Sequence, residues 1–170
     1  MADENNAGAP ADTQPGAAPN QPEMVLQNIY VKDASFEAPA GPNIPVDKWN
    51  PQFGLNMNTA GTTVAQDMHE VVLTITLEAK LADKTAYLCE VKQAGIFLVR
   101  GYSTEEARRI IGAFCPSVLF PYARQAISDM ITRGGFPPFL LPPVNFDALF
   151  LQSLQQAQQQ QAAAPQPAVN

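Results

Sequence analysis

Apolar and polar residues alternate over His69 to Leu81, and this stretch sets the pattern for the first two thirds of the chain. Val71, Leu73, Ile75, Leu77, Ala79 and Leu81 fall on one side. Glu70, Val72, Thr74, Thr76, Glu78 and Lys80 fall on the other. A period of two marks a half-buried strand. Gln52 to Thr59 alternates as cleanly, with Phe53, Leu55 and Met57 on one face. Thr85 to Val99 reads as a further strand, in which Tyr87, Cys89, Val91 and Phe97 share one parity and Leu88, Glu90, Lys92, Ile96 and Leu98 the other. Val25 to Phe36 is the first candidate. Val25, Gln27, Ile29 and Val31 share a face there until Lys32 and Asp33 blur the alternation, as at a bulge or an edge.

The period lengthens after Ser103. Ser103-Thr104-Glu105-Glu106 has capping-box chemistry, a hydroxyl followed by acids that suit the positive end of a helix. Pro116 is expected to break or kink this helix, because its ring removes a hydrogen-bond donor. Beyond it Leu119, Tyr122, Ala123, Ala126, Ile127, Met130 and Ile131 recur at helical spacing. Gly134-Gly135 stops the helix and Pro137-Pro138 forbids its return. Asn145 then caps a short helix marked by Phe146, Leu149, Phe150 and Leu154. Ala60 to Gln66 and the proline-rich connection around Trp49 read as loops. The fold class that follows is α+β: a four-stranded antiparallel sheet, a long helix packed on one face and a short C-terminal helix.

Composition limits where that domain lies. Residues 1–22 are mostly Ala, Pro, Gly, Asn and acids without an aromatic, and residues 157–170 are mostly Gln, Ala and Pro. Both read as disordered tails, since neither has the apolar surface to offset the entropy of ordering. The folded domain is expected over residues 23–156. A net charge of −6 argues against a nucleic-acid or anionic-lipid surface. No signal peptide and no transmembrane run is evident, so a cytosolic protein with Cys89 and Cys115 as free thiols is expected.

Chemistry offers little. The single histidine, His69, has no Cys or His at ligand spacing, and no GxGxxG, phosphate-loop or GxSxG pattern occurs. No catalytic residue, metal site or cofactor is expected. What stands out is apolar excess: Phe136, Phe139, Leu140, Leu141, Phe146, Leu149 and Phe150 fall within fifteen residues. Core or subunit interface is the plainer reading of most of them. The functional reading is an apolar groove between the proline-rich connection and the short helix. Each Phe or Leu moved from water into such a groove gains roughly 1.5 to 3 kcal/mol. Several such anchors would favour unfolded chains, whose apolar side chains are free.

These residues also carry a resemblance. IYVKDASFEAP, the Trp49-x-Pro51 pair, EVVL, TAYLCEV with QAGIF, CPSVLFPYAR, RGGFP and LPPVNFDALF together resemble the protein-export chaperone family SecB, over about Val25 to Gln156. The resemblance implies a homotetramer, a dimer of dimers whose long helices are sandwiched between eight-stranded sheets. It implies an ATP-independent holdase for unfolded preproteins that delivers them to the ATPase SecA. Carried over by position, it implies SecA contacts at Asp33, Glu37, Leu88 and Glu90, and a stretch tied to tetramer assembly at Cys89, Val91 and Gln93. It implies client contacts at Trp49, Phe53, Leu55, Met57, Phe150 and Leu154. Gly54 and Asn56 replace charged positions of the familiar form. Two alternatives stay open: a SecB-like chaperone dedicated to another partner such as an antitoxin, and a small-ligand-binding protein that uses the same apolar cavity.

Overall fold

The computed structural model describes residues 21–42, 48–82 and 84–163. Most of the two expected tails, part of the proline-rich connection and Asp83 of one expected turn lie outside them. Four strands form one antiparallel sheet in the order β1-β4-β3-β2, where β1 is Glu23–Glu37, β2 Gln52–Ala65, β3 Met68–Leu81 and β4 Lys84–Arg100. Consecutive strands β2, β3 and β4 are hairpin neighbours. The connection from β1 to β2 carries the chain from one edge of the sheet to the other.

The face expected to be buried in β3 is buried: Val71, Leu73, Ile75, Leu77 and Ala79 have no solvent exposure. Register places them beside Gly95, Gln93, Val91, Cys89 and Tyr87 of β4. β1 departs from the simple alternation. Irregularities at Gln27 and Lys32 shift its register twice, so Met24, Leu26, Ile29 and Phe36 pack on the core while Val25 turns away. Each bulge inserts one residue and reverses the facing of all that follow. β2 runs through Ala65, past the loop expected at Ala60. Its turn is confined to Gln66 and Asp67, with Asp67 at φ 57.

One helical layer covers the inner face. It begins at α1, Thr104–Arg109, capped by Ser103, whose side chain accepts from the Glu106 N–H while the Glu106 carboxylate accepts from the Ser103 N–H. Pro116 does not break the helix. The chain passes through a π-helical turn, Ile110–Phe114, in which the Cys115 N–H reaches back to the Ile110 carbonyl, and continues as α2, Cys115–Arg133. Widening one turn places Pro116 in the first turn of α2, where a missing N–H is tolerated. Leu119, Phe120, Ala123, Ile127 and Ile131 bury the inner stripe of α2. Gly95 lets the helix come down on the sheet: a Cβ there would lie 2.8 Å from the Phe97 ring and 3.0 Å from Leu119. Gly135 ends the layer at φ 82, the left-handed conformation that glycine adopts without penalty. α3, Phe146–Ala163, then runs well past Leu154, into residues expected to be tail.

Leu119 is fully buried at the centre of this contact, over Gly95. Leu119→Ala is expected to lower the unfolding free energy by about 2–5 kcal/mol, read from the urea midpoint. Exposed Gln125→Ala is expected to change it by less than about 0.5 kcal/mol.

Candidate functional site

Two surfaces result from this architecture, one apolar on the helix side and one charged on the open side of the sheet. The apolar surface starts at the edge strand β2. Phe53, Leu55 and Met57 point to the helix side, across from Ala79, Leu77 and Ile75 of β3. α2 does not reach far enough to cover them all, and Phe53 and Leu55 remain 42% and 41% exposed. Phe139 of the linker that follows α2 lies against Phe53, with ring centroids 4.3 Å apart. Trp49 stacks on Tyr87 at 6.2 Å and meets Phe136 at 5.5 Å, which closes one end of the strip. At the other end, Met57 and Phe150 share a cavity of about 450 Å³ floored by Phe146 and Leu149. Gln152, Ser153 and Gln156 of α3 stand around it.

α3 is seated at this end by three local devices. Asn145 caps it, accepting from the Ala148 N–H at 3.0 Å. Asp147 receives Nε and Nη2 of Arg109 at 3.0 and 2.8 Å. The Phe150 ring drops into the notch left by Gly112 in the π-helical turn, where a Cβ would lie 2.5 Å from it. The exposed ion pair adds little, at most about 1 kcal/mol. The ring in its notch is the larger contribution.

Of the six residues expected to meet a client, Trp49, Phe53, Leu55, Met57 and Phe150 fall along this one strip. Leu154, one turn on from Phe150, does not line the cavity; it shares with Phe150 an adjoining hollow lined by Thr104, Glu105 and Arg108. Gly112 and Phe139 complete the strip, and buried Phe136 and Tyr87 lie beneath its Trp49 end. The phenylalanines were visible as apolar excess, whereas nothing in the sequence marks Gly112 as a notch.

The charged surface is the outer face of β1 and β4. Register places Asp33 beside Lys92, Ser35 beside Glu90 and Glu37 beside Leu88. The expected quartet Asp33, Glu37, Leu88 and Glu90 therefore forms one patch. Lys92 bridges it, 2.9 Å from Asp33 and 3.4 Å from Glu90. Its ammonium holds the Asp33 carboxyl below the ordinary carboxylate value, and Asp33 in turn raises the Lys92 value. Thr76 donates to Glu90 at 2.8 Å. Glu78, beside Leu88 on β3, extends the acidic patch and was legible from strand parity. The carboxyl of Glu78 lies below its usual value because Thr85 and then Lys80 donate to it.

Cys89, Val91 and Gln93 sit on the inner face, buried under α2 within the protomer. The Gln93 amide donates to the Tyr30 carbonyl at 2.8 Å, next to the second bulge of β1. Burial pushes the Cys89 thiol up to about 11 and that of Cys115 to about 12, so both are protonated at neutral pH. Among the described residues no group of His, Cys, Asp and Glu is arranged to hold a metal ion.

The chain that carries this apolar strip and this acidic sheet face is similar over most of its length to known proteins. The family described as preprotein translocase subunit SecB matches residues 17–157. The chain belongs to the SecB family. The protein-export protein SecB of Ectopseudomonas mendocina is 48% identical over 164 residues, spanning 96% of this chain and 99% of that protein. The SecB of Pseudomonas fluorescens is 50% identical over 137 residues, 81% of this chain and 86% of that protein. A SecB-like chaperone of Mycobacterium tuberculosis, solved with a ChAD peptide from an antitoxin, shares the fold. It has a TM-score of 0.61 at 16% identity, over 71% of this chain and 90% of that one. The SecB family is a chaperone family rather than an enzyme family, and its function is protein export.

The notch yields a direct test. Gly112→Ala is expected to expel the Phe150 ring and loosen α3, raising amide exchange over residues 146–159 at least tenfold while β3 and β4 keep their protection. Unchanged exchange in α3 would show that the notch does not seat the helix.

Proposed function

We propose that this member of the SecB family binds unfolded preproteins along the strip from Trp49 to Phe150, keeps them competent for translocation without nucleotide, and delivers them to SecA. The observation that carries this reading is the uncovered inner face of β2. Phe53 and Leu55 belong by parity to the core, yet they stand open to solvent between aromatic linker residues and an apolar cavity. A side chain exposed at such cost suits a surface that fills when a chain binds. The contacts it offers are apolar and non-directional, which suits many client sequences.

Delivery would use the outer face. Three carboxylates, Asp33, Glu37 and Glu90, with Leu88 among them, suit a basic partner segment that has one apolar contact. Because the client strip lies on the inner face, both surfaces can be occupied together. Assembly into a dimer of dimers would bury the outer stripe of the helical layer, where Phe114 and Tyr122 are 47% and 51% exposed. Cys89, Val91 and Gln93 would then act on assembly through α2, which rests on them, rather than by touching another subunit. No helix among the described residues is long and apolar enough to cross a membrane, which agrees with a chaperone that meets its clients in the cytoplasm.

Glu90→Lys separates the two surfaces. It is expected to raise the Kd for SecA about tenfold at low salt and less at high salt, because a rim charge is reversed. Suppression of aggregation of a denatured preprotein, followed by light scattering without ATP, is expected to stay as in the wild type. Loss of both activities together would contradict the division of labour, and a wild type that leaves aggregation unchanged at equimolar tetramer would contradict the function.

A further inference from the structure

The C-terminal glutamines are more than a tail. α3 continues to Ala163, and Gln152 and Gln156, one turn apart, both line the cavity floored by Phe146 and Leu149. Ser153, beside them, spends its hydroxyl on the Phe150 carbonyl 2.7 Å away. The two amides are thus the groups that α3 offers the cavity for hydrogen bonding.

The opposite wall is a strand edge. Met57, Asn58 and Thr59 line the cavity in succession, although their side chains alternate between the two faces of the sheet. What they share is the backbone on the outer side of β2, which pairs only with β3 among the described strands. The cavity therefore has an apolar floor, a backbone edge on one side and a pair of amides on the other. Residues four apart on a helix are spaced about 6 Å along its axis. Alternate residues of an extended chain are spaced about 6.6 Å and direct their N–H and C=O groups to the same side. The side-chain amide of each glutamine donates through its NH2 and accepts through its carbonyl oxygen.

We propose that Gln152 and Gln156 form a backbone-reading rail, which pairs with the peptide groups of an extended client segment while its side chains enter the apolar floor. The rail makes the cavity selective for unstructured polypeptide over other apolar ligands. The interior of a helix has no free backbone groups to offer it, and a lipid or small hydrocarbon has none at all. This inference rests on the reading of the groove as an unfolded-chain site.

The test uses the full chain in its native assembly and two ten-residue probes of alternating leucine and serine, one with ordinary amides and one N-methylated at alternate residues. Gln152→Met with Gln156→Met keeps side-chain length and helix propensity but removes the hydrogen bonds. The wild type is expected to bind the amide probe at least tenfold more tightly than the methylated one. The double variant is expected to bind the amide probe about tenfold more weakly and to discriminate less than threefold. A wild type that binds neither probe overturns the reading of the groove itself. Wild-type binding with unchanged discrimination in the variant overturns the rail alone. Equal loss for both probes also overturns it, since the glutamines would then only hold α3 in place.

Discussion

Everything in this protein depends on how one face of a four-stranded sheet is kept from water. The inner face of β3 and β4 is apolar at almost every position and lies beneath α2. The helical layer is one helix wide, and it centres on β4 and β3. The sheet is four strands wide. Inner-facing residues of the edge strand β2 are therefore left over. Phe53 and Leu55 belong to the sheet's alternation but not to its core.

From that mismatch the site is built. The chain that leaves α2 returns along β2 and covers it only in part, with Phe136 and Phe139 at one end and α3 at the other. Gly112 and the π-helical turn decide where α3 comes to rest, because a wider turn without a side chain is what admits the Phe150 ring. The strip between these anchors is long, apolar and open. The outer face of the same sheet, polar by the same alternation, carries the acidic patch. A single sheet thus separates the surface for clients from the surface for a partner.

Much of this was legible in the sequence, because period-two patterning dominates β2, β3 and β4. Strand parity puts Leu88 and Glu90 on the outer face, whereas Asp33 and Glu37 come from the resemblance alone, as do the client positions Trp49, Phe53, Leu55, Met57 and Phe150, which the fold lines up along one strip. Three features escaped for physical reasons. Bulges at Gln27 and Lys32 in β1 reverse side-chain facing without any change in composition, so Met24 and Leu26 packed inward where Val25 was expected. Pro116 forbids one α-helical hydrogen bond but not a helix that widens for one turn before it. The glutamine run has high helix propensity but no apolar stripe, so it read as tail until α3 carried it on from Phe150. Leu154, one turn on from Phe150, was placed in the strip from the resemblance and lines the hollow next to the cavity instead.

The claim at the centre is that the uncovered face of β2 and the near flank of α3 hold an unfolded chain. Hydrogen exchange of the intact assembly, with and without reduced and carboxymethylated ribonuclease A, tests it most directly. Slowed exchange in residues 52–59 and 146–156, with residues 33–37 and 88–92 unaffected, is the predicted result. Protection confined to the outer face, or no protection when the unfolded chain is bound, would contradict it.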